Sequence, residues 1–303
     1  MTMPPDAPVS VVLLGYGLGG RVFHAPLIQA TPGLSLDGIV TSDATRQEQA
    51  RAANPGVTIY PTPEAAWAGR HDLAVISTAN VTHVPLTEAA LDHGLHVVID
   101  KPIAPSAPVA VLLARRAESM GLRLIPFQNR RWDSDFRTAV ECSRDGSIGT
   151  VHRFESRIQR MRVVPKPGWR NSTEPADMGG MLYDLGAHLV DQALVLMGPV
   201  VRVCAAVRSV RVTDGSDDDV VLLLEHESGA VSQVVASQIG AFDAPRLTLL
   251  GTRGGLRIDA SDTQEPALAA GDDPADPDWG TEPEASAAWL RTYDDASTLT
   301  ESR

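Results

Sequence analysis

Over the first 127 positions the apolar residues fall into short blocks. Val9–Leu14, Leu34–Val40, Leu73–Ser77, Val97–Ile99 and Arg123–Phe127 are too short for helices and rich in β-branched residues, which predicts buried strands. Between them, Pro26–Ala30, Ala44–Ala53, Pro63–Ala68, Pro85–Gly94 and Pro108–Met120 have helical spacing or composition, each bounded by Pro or Gly. Regular alternation of strand and helix predicts a parallel sheet covered on both faces. Ligands of such sheets sit beyond the carboxyl ends of the strands.

The pattern then changes. Val151–Gln159, Val201–Val212, Val220–His226, Ala230–Gln238 and Leu247–Leu250 tend to be longer and partly alternate. Glu227-Ser228-Gly229 and Thr252-Arg253-Gly254-Gly255 read as hairpin turns among them. A mostly antiparallel sheet is expected, interrupted by one helix from about Met181 to Met197 that Gly198-Pro199 stops. The expected division is residues 1–128 and 129–303, with more than one crossing between domains. From Asp259 onward only Ala285–Leu290 looks helical; twelve acids there face only Arg291 and Arg303, which reads as a solvated acidic segment.

The chain has 303 residues, 43% of them hydrophobic, enough for two cores of ordinary size. Its net charge of −12 argues against nucleic acid or an anionic membrane as partner. No apolar run has the length of a membrane span, and the first eight residues lack the pattern of a secretory signal. Cys142 and Cys204 stand alone and form neither a disulfide framework nor a metal motif, so a cytoplasmic setting is expected.

Chemistry concentrates after the predicted strands. Gly15-Tyr16-Gly17-Leu18-Gly19-Gly20 is a G-x-G-x-x-G between a strand and a helix. Gly15 allows the tight turn, Gly17 lets a pyrophosphate approach the backbone, and Gly20 lets the helix pack on the sheet. Without a ligand it would be a Gly-rich turn. Thr78-Ala79-Asn80, with His83 beyond, offers small polar groups for ribose or carboxamide, or a helix cap. Lys101 follows a strand in Asp100-Lys101-Pro102; it is a candidate acid/base or a surface lysine. Asp184 and His188 stand at i and i+4 with Asp191 three further on; they suit a general base beside a carboxylate, a surface pair, or, less well, a metal. Arg130, Arg131, Trp132 and Asp133, and Lys166, Trp169 and Arg170, could clamp an anion or stack on a ring, or form interface salt bridges.

Together these motifs resemble the glucose–fructose oxidoreductase, inositol dehydrogenase and MocA family. The order and spacing of Gly15-x-Gly17-x-x-Gly20, Thr78-Ala79-Asn80-x-x-His83, Asp100-Lys101-Pro102 and Gly179-Gly180-x-x-x-Asp184-x-Gly186-x-His188-x-x-Asp191 agree over about residues 8–260. Gln128 to Phe136 and Leu182 to Gly186 resemble the branch containing NADP-linked scyllo-inositol dehydrogenases. The resemblance implies an α/β protein: an N-terminal Rossmann domain with a doubly wound parallel sheet, and a C-terminal α/β domain with an open, mostly antiparallel sheet that builds a homodimer or homotetramer. It implies NAD(P)-dependent hydride transfer at a hydroxyl carbon of a sugar, inositol or other polyol. Lys101, Asp184 and His188 then hold the catalytic positions: His188 accepts the hydroxyl proton, Asp184 orients His188 or holds a substrate hydroxyl, and Lys101 bonds the reacting oxygen. Gly15, Gly17, Leu18, Gly20, Ser42, Arg46, Thr78, Asn80, His83, Lys101, Arg130, Trp169 and Arg170 are the cofactor candidates.

Three departures stand out. Asp100 replaces the family's usual Glu. The end of the second strand reads Val40-Thr41-Ser42-Asp43, with Arg46 beyond: Thr41, Ser42 and Arg46 suit a 2′-phosphate while Asp43 argues for NAD, and NADP is the preferred reading. Relatives continue with a helix-forming segment, against which this sequence, stopping at Arg303, reads as shortened or incomplete. The competing functions are a nucleotide-binding sensor of the same fold and an NAD-dependent glycoside hydrolase.

Overall fold

β1 (Val9–Leu14) buries both faces. Val11 and Leu13 pack into one apolar cluster, Val12 and Leu14 into another, and all four are inaccessible to solvent. A strand buried on both sides reads as a continuous apolar run. Around β1 lie β2 (Leu34–Val40), β3 (Thr58–Tyr60), β4 (Leu73–Ile76), β5 (His96–Asp100) and β6 (Leu124–Phe127). All pair in parallel, in the order β3-β2-β1-β4-β5-β6. Five helices connect them: α1 (Ala25–Ala30), α2 (Ala44–Ala53), α3 (Pro63–Trp67), α4 (His83–Asp92) and α5 (Ala107–Ser119). This is the doubly wound Rossmann order, reversing beside β1. β3 escaped the sequence reading because three residues are too few to carry a periodicity.

This computed structural model describes residues 7–165, 168, 171–212 and 214–303. They fall into two compact units, one running to Phe127 and taking in Gln264–Gly280, the other Gln128–Thr263 with Thr281–Arg303. Residues 264–280, expected with the second domain, thus belong to the first. They carry α8 (Gln264–Ala270), which buries Leu268 and packs against Gly19–His24.

The second unit holds β7 (Val151–Gln159), β8 (Val200–Arg208), β9 (Asp219–His226), β10 (Val231–Ser237), β11 (Leu247–Gly251), β12 (Gly254–Ile258), β13 (Trp289–Tyr293) and β14 (Leu299–Ser302). Their order is β14-β13-β12-β11-β7-β10-β9-β8, antiparallel throughout except for β7 against β10. α6 (Ser134–Asp145) and α7 (Ala187–Met197) pack on one face, where Phe136, Leu189, Val220, Leu222, Leu224 and Leu249 form the core. The alternating positions of the other face, such as Leu223, Arg153 and Arg257, are exposed.

Several expectations shift. α6 was hidden because its first turn reads as a polar run; its buried face is Asp135, Phe136, Ala139 and Cys142, and Gly146 ends it at φ 76°. The strand expected to reach Val212 stops at Arg208, where the Asp218 carboxylate gathers the N–H groups of Val210 and Arg211 and the Arg211 guanidinium. Ala285–Leu290 is not a helix. A short turn at Glu284–Ser286 leads into β13, where Trp289 and Leu290 pair with Arg257 and Leu256 of β12. The free edge of β12 offers ladder bonds that outweigh a short alanine-rich helix propensity. Nor is the acidic segment merely solvated: Asp262 accepts from the Ser134 N–H (2.7 Å), and Glu282 from the Ser134 hydroxyl (2.7 Å) and the Thr263 N–H (3.0 Å). Among the described residues no helix is long and apolar enough to cross a membrane.

Candidate functional site

The turn after β1 shows three glycines with three different reasons. Gly15 adopts φ 96°, and a Cβ there would lie 2.3 Å from the Ser77 carbonyl oxygen. A Cβ on Gly20 would lie 2.0 Å from the Gly15 carbonyl oxygen. At Gly17 nothing stands within 4 Å of that position. The first and last glycines therefore close the turn, while the middle one keeps an open approach to the backbone. Gly19–His24 then winds as a π-helix into α1, and Leu18 before it is exposed. The leading N–H groups of such a helix lack partners within it and attract anions. A cradle that any side chain at residue 17 would begin to fill fits the pyrophosphate of a nicotinamide dinucleotide.

At the end of β2, Asp43 is the N-cap of α2: its carboxylate accepts from the Arg46 N–H at 2.9 Å. Ser42 and Arg46 are exposed. Thr41, by contrast, is buried, its N–H bonded to Tyr60 and its carbonyl to Gln47. After β4, the Thr78 hydroxyl donates to Thr82 Oγ1 at 2.7 Å, because the Thr82 hydroxyl is already given to the Ala79 carbonyl. Asn80 is buried. His83, a cofactor candidate, lies inside the first unit. Its ring is fully buried, with Nδ1 2.8 Å from the Pro102 carbonyl and Nε2 3.3 Å from that of Thr78. It ties the Thr78 segment to the Lys101 segment.

Lys101 follows β5, and its peptide bond to Pro102 is cis. Asp100 before it accepts from His24 Nε2 at 2.7 Å and from the Ser77 hydroxyl at 2.6 Å. Burial works to raise its pKa, but those bonds and the histidine's charge hold the carboxyl below its usual range. Gly15, Gly17, Leu18, Gly20, Ser42, Arg46, Thr78, Asn80 and Lys101 thus all follow the carboxyl ends of parallel strands in the first unit.

In the second unit, Gly180 at φ 89° begins the helix that carries Asp184 and His188. A Cβ there would lie 2.1 Å from the Asp217 carboxylate, which accepts from the Leu182 N–H at 2.7 Å. Burial pushes Asp217 up, and backbone N–H bonds hold it back. Leu182–Gly186 is a π-turn, so Asp184 within it and His188 in α7 are not related as an α-helical i,i+4 pair. His188 is buried, and its Nδ1 lies 3.1 Å from the Gln128 amide oxygen. A carbonyl-type acceptor there puts the proton on Nδ1 and makes Nε2 the basic nitrogen.

Asp191, expected on the same face, is bound through both oxygens by Arg131 at 2.6 and 2.7 Å. Arg130, a cofactor candidate, pairs with Asp133 at 3.0 Å. Burial pushes Asp133 up to about 6; Arg130 opposes this, while the charges of Asp135 and Asp262 add to it. Trp169 and Arg170 lie outside the described residues.

Residues 9–127 match the family model described as an oxidoreductase family, NAD-binding Rossmann fold. Residues 136–257 match the GFO/IDH/MocA C-terminal domain. The chain belongs to the GFO/IDH/MocA family of oxidoreductases. As a member it binds a nicotinamide dinucleotide and works as an oxidoreductase. It is 37% identical to the uncharacterized oxidoreductase YdgJ of Escherichia coli (strain K12), over 90% of this chain and 77% of that protein. It is 31% identical to scyllo-inositol 2-dehydrogenase (NADP(+)) IolW of Bacillus subtilis (strain 168), over 90% of this chain and 75% of that one. The solved YPO2259 protein of Yersinia pestis superposes with a TM-score of 0.89 at 36% identity, covering 98% of this chain and 82% of that one.

Against the family motifs, sequence reasoning missed Gln128, His24, Ser77 and Asp217. Gln128 had a signal, since it directly follows a strand. The other three act over separations of 76, 23 and 35 residues, which no local pattern reports.

Proposed function

We propose that this GFO/IDH/MocA protein is an NADP-preferring dehydrogenase acting on a hydroxyl carbon of a sugar, inositol or other polyol. The observation that carries the cofactor preference is the capping role of Asp43. One oxygen of the Asp43 carboxylate is engaged at the N-terminus of α2, which competes with a ribose 2′-hydroxyl for it, and exposed Ser42 and Arg46 suit a 2′-phosphate. The polyol reading is supported by the relative named scyllo-inositol 2-dehydrogenase (NADP(+)).

When bound, the nicotinamide supplies the hydride acceptor or donor. The glycine turn holds the pyrophosphate, with Gly17 as the point of approach. His188, its Nδ1 proton given to Gln128, takes the substrate hydroxyl proton at Nε2. Asp184 binds a neighbouring substrate hydroxyl, and Lys101 hydrogen-bonds the reacting oxygen. For self-association, the helix-free face of the eight-stranded sheet is the surface that a second copy of the chain would cover.

The test is a panel of sugars and polyols with NADP and NAD, read at the nicotinamide absorbance. Turnover with NADP is expected, and Lys101→Ala and His188→Ala should each abolish it while keeping cofactor affinity. Tight cofactor binding without turnover on any polyol would favour the sensor reading. Loss of binding in both variants would show the roles misassigned.

A further inference from the structure

Beneath the glycine turn, three chain segments meet on one carboxylate. Asp100 ends β5; its Oδ1 accepts from His24 Nε2 (2.7 Å) in the π-helix after the turn, and its Oδ2 from the Ser77 hydroxyl (2.6 Å) after β4. The His24 ring is 4% exposed and lies 4.3 Å, centroid to centroid, from Phe127 at the end of β6. Gly19 closes the arrangement from above: a Cβ there would stand 2.5 Å from the Ser77 hydroxyl oxygen and 3.1 Å from Asp100 Oδ2. Gly19 thus bounds the Oδ2 side of the carboxylate, whose side chain is 25% exposed. One more methylene at residue 100 would drive the carboxylate toward Gly19 and Ser77, or away from His24.

We propose that His24 is a positioning residue that, through Asp100, fixes the strand end carrying Lys101, and that aspartate stands at residue 100 because His24 reaches down to meet the shorter acid. The inference rests on the reading that Lys101 serves the reaction. Its physical basis is that a buried, charge-assisted bond is stronger than a neutral one and holds geometry accordingly. Asp100 and Lys101 are adjacent, so bonds that anchor the Asp100 side chain to His24 and Ser77 also restrain the backbone from which the lysine springs.

The chain contains only two lysines, Lys101 and Lys166. In a Lys166→Arg background, reductive 13C-methylation therefore labels Lys101 and the α-amine alone, and NMR follows Lys101 directly. His24→Leu, which removes the donor, is expected to displace and broaden the Lys101 signal. His24→Gln, which keeps an N–H donor, should restore it, and Asp100→Glu should behave like His24→Leu. In unmodified enzyme, His24→Leu should lower kcat about tenfold with the cofactor KM within about twofold, since small misplacements of a reacting group cost rate rather than binding.

An unmoved Lys101 signal in folded His24→Leu overturns the proposal, as does a raised cofactor KM at unchanged kcat. Should His24→Leu fail to fold, Ser77→Ala removes only the other donor; a smaller displacement of the Lys101 signal supports the proposal and no displacement overturns it. Full turnover by Lys101→Ala would instead sink the catalytic reading of the lysine while leaving the NMR result in place.

Discussion

Gly15, Gly17 and Gly20 separate folding from binding, because alanine at each meets a different neighbour. At residue 15 a side chain must accept φ 96° and a backbone oxygen 2.3 Å away. The first costs about 1–2 kcal/mol and the second, as overpacking, about 1–3 kcal/mol more. At residue 20 the contact is again a backbone oxygen, 2.0 Å away. At residue 17 no heavy atom stands within 4 Å. Gly17→Ala should therefore change stability by no more than about 0.5 kcal/mol, roughly 1–2 °C in Tm for a chain of this size. Its methyl group instead occupies the space a pyrophosphate needs to reach the backbone. Each hydrogen bond to a charged oxygen is worth about 1.5–3 kcal/mol, so losing one weakens cofactor binding roughly 10- to 150-fold. Fluorescence titration with NADPH beside thermal unfolding of the three alanine variants tests this. Wild-type affinity in Gly17→Ala, or melting as early as Gly15→Ala, would refute the assignment of the open glycine to the phosphates.

Two further outcomes are expected. Asp133 is pushed up to about 6 from 3.8, so the native state holds its proton more tightly than the unfolded chain. Stability then falls as pH rises from about 4 to about 6, by about 3 kcal/mol in all. Asp133→Asn removes that loss. Its Tm relative to wild type should climb by roughly 2–4 °C between pH 5 and pH 8, and a difference that is flat or shrinks with pH would contradict the burial argument. Arg46→Ala should weaken NADP but not NAD in parallel KM measurements; equal effects on both would remove Arg46 from 2′-phosphate binding.

The parallel sheet was legible because burial on both faces writes itself as unbroken apolar runs such as Val11–Leu14. The glycine turn was legible because strand, turn and helix follow each other directly. What the sequence concealed depended on partners far along the chain. Ala285 to Leu290 suit a helix until the edge of β12 is there for Trp289 and Leu290 to pair with. Asp191 resembles a member of the Asp184 and His188 group until Arg131, 60 residues away, is seen to bind both its oxygens. His83 matches a family motif, yet its burial makes it a brace between Thr78 and Pro102. A motif fixes which residue stands at a position, but whether that residue faces a ligand or the protein is decided by neighbours that local spacing does not encode.

The same point resolves an apparent conflict of charge. A chain with a net charge of −12 binds an anionic cofactor, and two of its carboxylates, Asp43 and Asp100, stand at the very strand ends where the cofactor edge lies. Each is already committed. Asp43 faces the positive end of α2 and accepts its N–H, and Asp100 is matched to His24 and Ser77. A carboxylate held by fixed donors keeps its orientation: Asp100 has a donor on each oxygen, and Asp43, though exposed, has one oxygen on the Arg46 N–H. On the proposed NADP reading, the phosphates would meet helix N–H groups and, at the end of β2, the exposed Ser42 and Arg46. Counting acids near the turn predicts repulsion; tracing the bonds each acid makes predicts tolerance. Cofactor choice at β2 therefore turns on whether Asp43 keeps its cap: a change that freed Asp43 from the Arg46 N–H would shift preference toward NAD with no change in the charge of the chain.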